Sequence, residues 1–86
     1  MTEFGEHVRG WRMVLGLTAQ QVSERAGITR DTLRKIESGN PNVSFNSVTQ
    51  VLRALGILDQ IVDAADPLAS DIGRLRAGRL TRKRAR

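Results

Sequence analysis

Four ionisable side chains within six consecutive positions, Arg30, Asp31, Arg34 and Lys35, carry the chemistry of this 86-residue chain. On a helix, residues three and four apart are neighbours, so this spacing gathers all four on one face. A guanidinium donates as a fork to guanine O6 and N7, an ammonium meets phosphate, and a carboxylate accepts from cytosine N4. On a helix that enters a groove all four are assigned to base edges, each good bidentate contact being worth about 1–3 kcal/mol of discrimination; otherwise they form a solvated helix face. Asp31 keeps a second reading, in which its charge merely favours the positive end of its own helix. Catalysis is not indicated. The chain has no cysteine and one histidine, His7, and it offers no nucleophile with a base, no metal quartet and no lysine-bearing glycine loop. His7 reads as a surface residue, and the chemistry needs neither metal nor cofactor.

The elements that must hold this face can be read from their ends. Thr18 and Thr29 each precede a run with apolar residues at helical spacing, and each can accept from orphan N–H groups. Gly27 can take the positive φ of a sharp corner. Two short helices, roughly 18–26 and 29–38, then cross, with Val22, Ala26, Ile28, Leu33 and Ile36 turned to a common core. This is the layout of a helix-turn-helix, spanning 18–38, with the charged face outward on its second helix.

Three more helices complete the body. Phe4, Val8, Trp11 and Leu15 recur at helical spacing, which predicts a helix from an N-cap at Thr2 to about Leu15, with Trp11 in the core and Gly16 as its stop. Gly39-Asn40-Pro41-Asn42 is a loop, and Ser44 caps a helix lined by Val48, Val51, Leu52 and Leu55, with Phe45 in its first turn and Gly56 after it. Asn40, Asn42 and Ser44 can donate to phosphates or serve only the turn and the cap. Ile57, Leu58, Ile61 and Val62 mark a fifth helix that ends before Asp66-Pro67. They exceed what one side of a short helix buries, and are assigned to a homodimer contact that sets two reading helices about 34 Å apart, the alternative being a continuous monomer core. The fold class is all-α, a compact bundle of five short helices with a basic C-terminal tail.

The net charge of +5 is unevenly placed. Residues 1–72 hold seven basic and nine acidic groups, a balance of −2, whereas residues 73–86 hold seven basic groups and no acid, a balance of +7. The domain is thus 1–66 and the tail 67–86. Gly73, Gly78 and scattered arginines weaken any helix in the tail, where only Leu68, Ile72, Leu75 and Leu80 can pack, so ordering against a partner is expected. The tail is a solvated extension, an arm on phosphates or a partner-binding segment; as an arm it would add about −6 to the slope of log K against log salt. There is no apolar run long enough for a membrane span and no signal-peptide core, which predicts a cytoplasmic location without membrane contact.

Segment 4–55 resembles the lambda-repressor-like, or Xre/Cro-type, DNA-binding domain. The residues that carry the likeness are Phe4-Gly5-Glu6, Arg9 with Arg12, Gly16-Leu17-Thr18, Val22, Ala26-Gly27-Ile28-Thr29, Ile36-Glu37 with Gly39, and Leu52 with Ala54-Leu55-Gly56. The resemblance implies a five-helix domain that binds an inverted-repeat operator in double-stranded DNA as a twofold dimer, with the helix from about Arg30 to Ser38 in the major groove. Arg30, Asp31 and Lys35 match its base-contacting positions, and Thr32 and Arg34 match positions that often touch backbone. Gln20, Thr29 and Thr32, with the loop residues, are assigned to the DNA backbone. It also implies an ion pair between Arg12 and Glu37. In many members the second helix begins with a glutamine that holds a phosphate; Ala19 stands there, and Gln20 or Gln21 substitutes only in part. Ser23 keeps the small residue near the middle of that helix. The tail sequences Asp66-Pro67-Leu68, Asp71-Ile72-Gly73-Arg74 and Arg82-Lys83-Arg84-Ala85-Arg86 resemble the ends of HipB-like antitoxins, which implies a HipA-like kinase partner. The expected function is repression of its own promoter, the alternative an antitoxin that neutralises such a kinase.

Overall fold

The computed structural model describes residues 1–84, and their regular structure is helical throughout. Five helices form the body: α1 Thr2–Val14, α2 Ala19–Ala26, α3 Arg30–Glu37, α4 Phe45–Ala54 and α5 Leu58–Ala64. Their starts follow from side-chain caps. Thr18 Oγ1 accepts from the Gln21 N–H at 3.1 Å while Gln21 Oε1 accepts from the Thr18 N–H at 2.9 Å, a reciprocal capping box. Thr29 Oγ1 accepts from the Thr32 N–H at 3.1 Å, and Ser44 Oγ from the Ser47 N–H at 3.0 Å. Gly27 sits at φ 69°, and the Ile28 N–H returns to the Ser23 carbonyl at 3.0 Å, so α2 stops and α3 starts within three residues.

The core joins Val8 of α1, Val22 and Ala26 of α2, Leu33 and Ile36 of α3, Val51, Leu52 and Leu55 at α4, and Ile57. Each such aliphatic side chain contributes about 1.5–3 kcal/mol on full burial. Ile28, the fifth apolar residue assigned inward from the helix-turn-helix, is half-buried against this cluster. Ser23 is buried without penalty, because its Oγ donates to the Ala19 carbonyl at 2.7 Å.

α1 crosses the C-terminal end of α3 at unusually short range. A Cβ on Gly5 would overlap the Glu37 carbonyl oxygen and lie 2.6 Å from that of Ile36, so the approach requires glycine. At the far side of the crossing, the backbone of Gly39 rests on Met1 and Thr2. This contact corrects two expectations. Thr2 is not a cap: it is the first residue of α1, Met1 precedes it as N-cap, and no side chain accepts there. Trp11 is not core but 39% exposed, and Leu15 is 45% exposed. The stripe that α1 buries runs through Gly5, Val8 and the partly buried Arg12, which turns Trp11 to its margin and leaves Leu15 beyond the last turn.

The five-helix body stands as expected, and the correction concerns the tail, where helix was expected to be weak. After a single 3-10 turn at Pro67–Ala69 come α6 Asp71–Leu75 and α7 Ala77–Arg84. Asp66 caps the turn and Ser70 caps α6, their side chains accepting from the Leu68 and Gly73 N–H groups at 2.9 and 3.0 Å. Gly73, read as a helix breaker, instead lets α6 close on the Pro67 carbonyl, which a Cβ there would overlap. None of the core cluster comes from this segment, and Leu68, Ile72 and Leu75 remain exposed. In the terminal run Arg82-Lys83-Arg84-Ala85-Arg86, the last two residues and the side chains of the first three lie outside the described residues.

Candidate nucleic-acid interface

α3 has two opposed faces. Leu33 and Ile36 are buried at 1% and 4% exposure, while Arg30, Asp31 and Arg34 are exposed and Lys35 is half-buried. The four residues assigned to base edges therefore share the outward side of the helix. Within this face Asp31 bridges two cations, its carboxylate lying 2.5 Å from Arg34 Nη2 and 3.2 Å from Lys35 Nζ. The hydrogen bond from Arg34, then that from Lys35, holds its carboxyl below the ordinary Asp range. A depressed carboxyl contributes stability above the unfolded value of about 3.9, and loses it as pH falls through the lower folded value. Asp31 is thus charged near neutrality and orders the cations beside it.

The tilt of α3 is fixed from behind. Arg12 Nε and Nη2 donate to Glu37 Oε2 and Oε1 at 2.8 and 3.1 Å, a two-pronged pair with side-chain exposures of 16% and 13%. Arg12 Nη1 also donates to the Leu17 carbonyl at 3.3 Å, so one guanidinium ties α1, the loop before α2 and the end of α3. The bond to Glu37 raises the Arg12 pKa against the opposing effect of burial, and Coulombic attraction adds to the rise.

The residues assigned to the DNA backbone have local partners. Gln20 Nε2 donates to Glu24 Oε1 at 2.7 Å, and Gln21 is used in the capping box, so neither takes the place of a side chain at Ala19. Thr29 Oγ1 donates to Thr32 Oγ1 at 2.9 Å; Asn40 Oδ1 accepts from the Asn42 N–H at 2.8 Å. These bonds are exposed, as is the Ser44 cap, and all lie near the start of α3 or α4. His7 is exposed beside Trp11. Of the residues assigned to a dimer contact, Ile57 is corrected: at 6% exposure it belongs to the core, and Leu58 packs against that core. Ile61 and Val62 remain outward, at 42% and 59% exposure.

A cleft of about 580 Å³ opens between α1, α2 and α3, lined by Arg9, Ala19, Arg30, Arg34 and Ser38 among others. The sequence marks Arg9 only as part of the family likeness and assigns it no contact, since among the mixed charges of α1 it has no local signal.

Two crossed, capped helices with a cationic outer face define a DNA-binding helix-turn-helix protein. The family profile for helix-turn-helix domains matches residues 3–65, and the chain belongs to that family. It is also similar to a protein of Methanothermobacter thermautotrophicus described as an uncharacterized HTH-type transcriptional regulator, with 39% identity over 49 residues, 57% of this chain and 71% of that protein. No solved structure matches the chain. No helix among the described residues is long and apolar enough to cross a membrane.

Proposed function

We propose that the chain is a sequence-specific transcriptional regulator that binds an inverted repeat as a homodimer, acting in the cytoplasm to repress its own promoter. The observation that carries this reading is the pairing of an exposed Arg30, Asp31, Arg34 and Lys35 face with a brace that fixes its helix from the opposite side. Occupancy of a promoter suffices to block transcription, so no cofactor enters. Ile61 and Val62 are the apolar groups left for the twofold contact. Selection of bound sequences from a random duplex pool tests the proposal: two inverted half-sites should emerge, their centres one helical turn, about 10 base pairs, apart or a multiple of it. A pool that shows no enrichment sinks it.

A second reading, an antitoxin with a HipA-like kinase partner, is favoured by the exposed Leu68, Ile72 and Leu75 on a segment that packs on itself rather than on the core. A chain ending at Asp66 is expected to keep operator binding and to lose co-purification with a kinase encoded beside it. Retention of that partner by the shortened chain would rule the tail out.

A further inference from the structure

We infer that the cleft between α1, α2 and α3 seats a phosphodiester of the DNA backbone and that Arg9 is its ligand, an inference that rests on the DNA-binding reading above. Arg9, Arg30 and Arg34 line this cleft together with two carboxylates, Asp31 and Glu37. Both carboxylates are committed elsewhere: Glu37 fills the fork of Arg12, and Asp31 is shared by Arg34 and Lys35. Among the described residues Arg9 and Arg30, by contrast, have no carboxylate within 4.0 Å. Two uncommitted guanidiniums thus border one concavity, and Ala19, whose side chain is a single methyl, leaves the space between them empty. The cleft adjoins the outward face of α3, so a duplex read by that face brings its sugar–phosphate strand to the same opening.

The roles of the two guanidiniums then divide. Arg30, on the reading helix, reaches base edges, whereas Arg9, on α1, is set back from the groove and meets the strand that borders it. A guanidinium matches the two unesterified oxygens of a phosphodiester with paired donors. Because a phosphate is the same in every sequence, Arg9 supplies affinity without selectivity.

The test uses the full chain with Arg9→Gln and Arg9→Lys, binding a selected duplex and a scrambled one between 50 and 200 mM salt. Arg9→Gln should weaken both duplexes by the same factor and lower the salt slope by about 0.9 for each subunit, with an unchanged melting temperature because Arg9 is exposed. Arg9→Lys should keep the slope. Unchanged affinity and slope in Arg9→Gln, alongside normal wild-type selectivity, would overturn the inference while leaving the proposed function intact. A change in base preference would also overturn it, by making Arg9 a reader. Inorganic phosphate at matched ionic strength should compete with the duplex for wild type and less for Arg9→Gln; equal competition in both would overturn the inference. A wild-type chain that binds neither duplex ends both proposals.

Discussion

Glu37→Ala is expected to destabilise the domain by about 3 kcal/mol, the low end of what removing one member of a buried pair costs. The residual exposure of 16% and 13% places the pair near that low end rather than higher. What the change leaves behind is Arg12, an arginine that cannot discard its proton, facing a gap where two hydrogen bonds stood. For a domain of this size the loss corresponds to a fall in melting temperature of roughly 12–24 °C. Replacing both residues with apolar ones, Arg12→Met with Glu37→Leu, should recover most of it, because desolvation offsets much of the attraction in the native pair. Thermal and urea melts of the single and double variants check this. A single variant that melted within a few degrees of wild type would show that α3 is braced by packing alone.

Arg30→Ala should act on selectivity and spare the fold, since Arg30 is exposed and makes no ion pair among those described. The expected loss is discrimination at one base pair in each half-site, about 1–3 kcal/mol apiece, or roughly 5- to 150-fold. Across two half-sites of a dimer the losses multiply. Competition binding with every single-base variant of the operator measures it: the preference should flatten at one position and persist at the others. A uniform drop over all sequences would make Arg30 a phosphate contact, and Arg30 and Arg9 would then be equivalent.

The starts of α2, α3 and α4 are legible because each rests on a residue that acts within its own turn, whereas α1 and α5 start without a side-chain cap. Thr18, Thr29 and Ser44 cap as their types predict, and Gly27 turns the corner. The charged face of α3 was legible for the same reason, its members lying within two turns. Distant relations were not. Arg12 and Glu37 are 25 residues apart, and only the resemblance to a known family paired them. Apolar character alone puts Trp11 in the core, whereas the inward stripe of α1 includes a buried glycine and a partly buried arginine, residue types that hydrophobic periodicity passes over. In the tail, Gly73 was weighed for its helix propensity, but its lack of a side chain serves a contact with Pro67. Of the four apolar residues around α5, Ile57 is consumed by the monomer and Leu58 packs against its core, a use that depends on the position of α4 and not on local spacing.

Gly5, Arg12 and Glu37 hold the reading helix at its C-terminal end, whereas Arg30, Asp31, Arg34 and Lys35 lie on its outward side. Of the three, only Glu37 belongs to the eight-residue α3, so most of the grip is written in α1 and the outward quartet in α3. On the proposed reading, the outward quartet is expected to accept rewriting for other duplex sequences while Gly5, Arg12 and Glu37 keep their grip, as in a chassis for reprogrammed recognition.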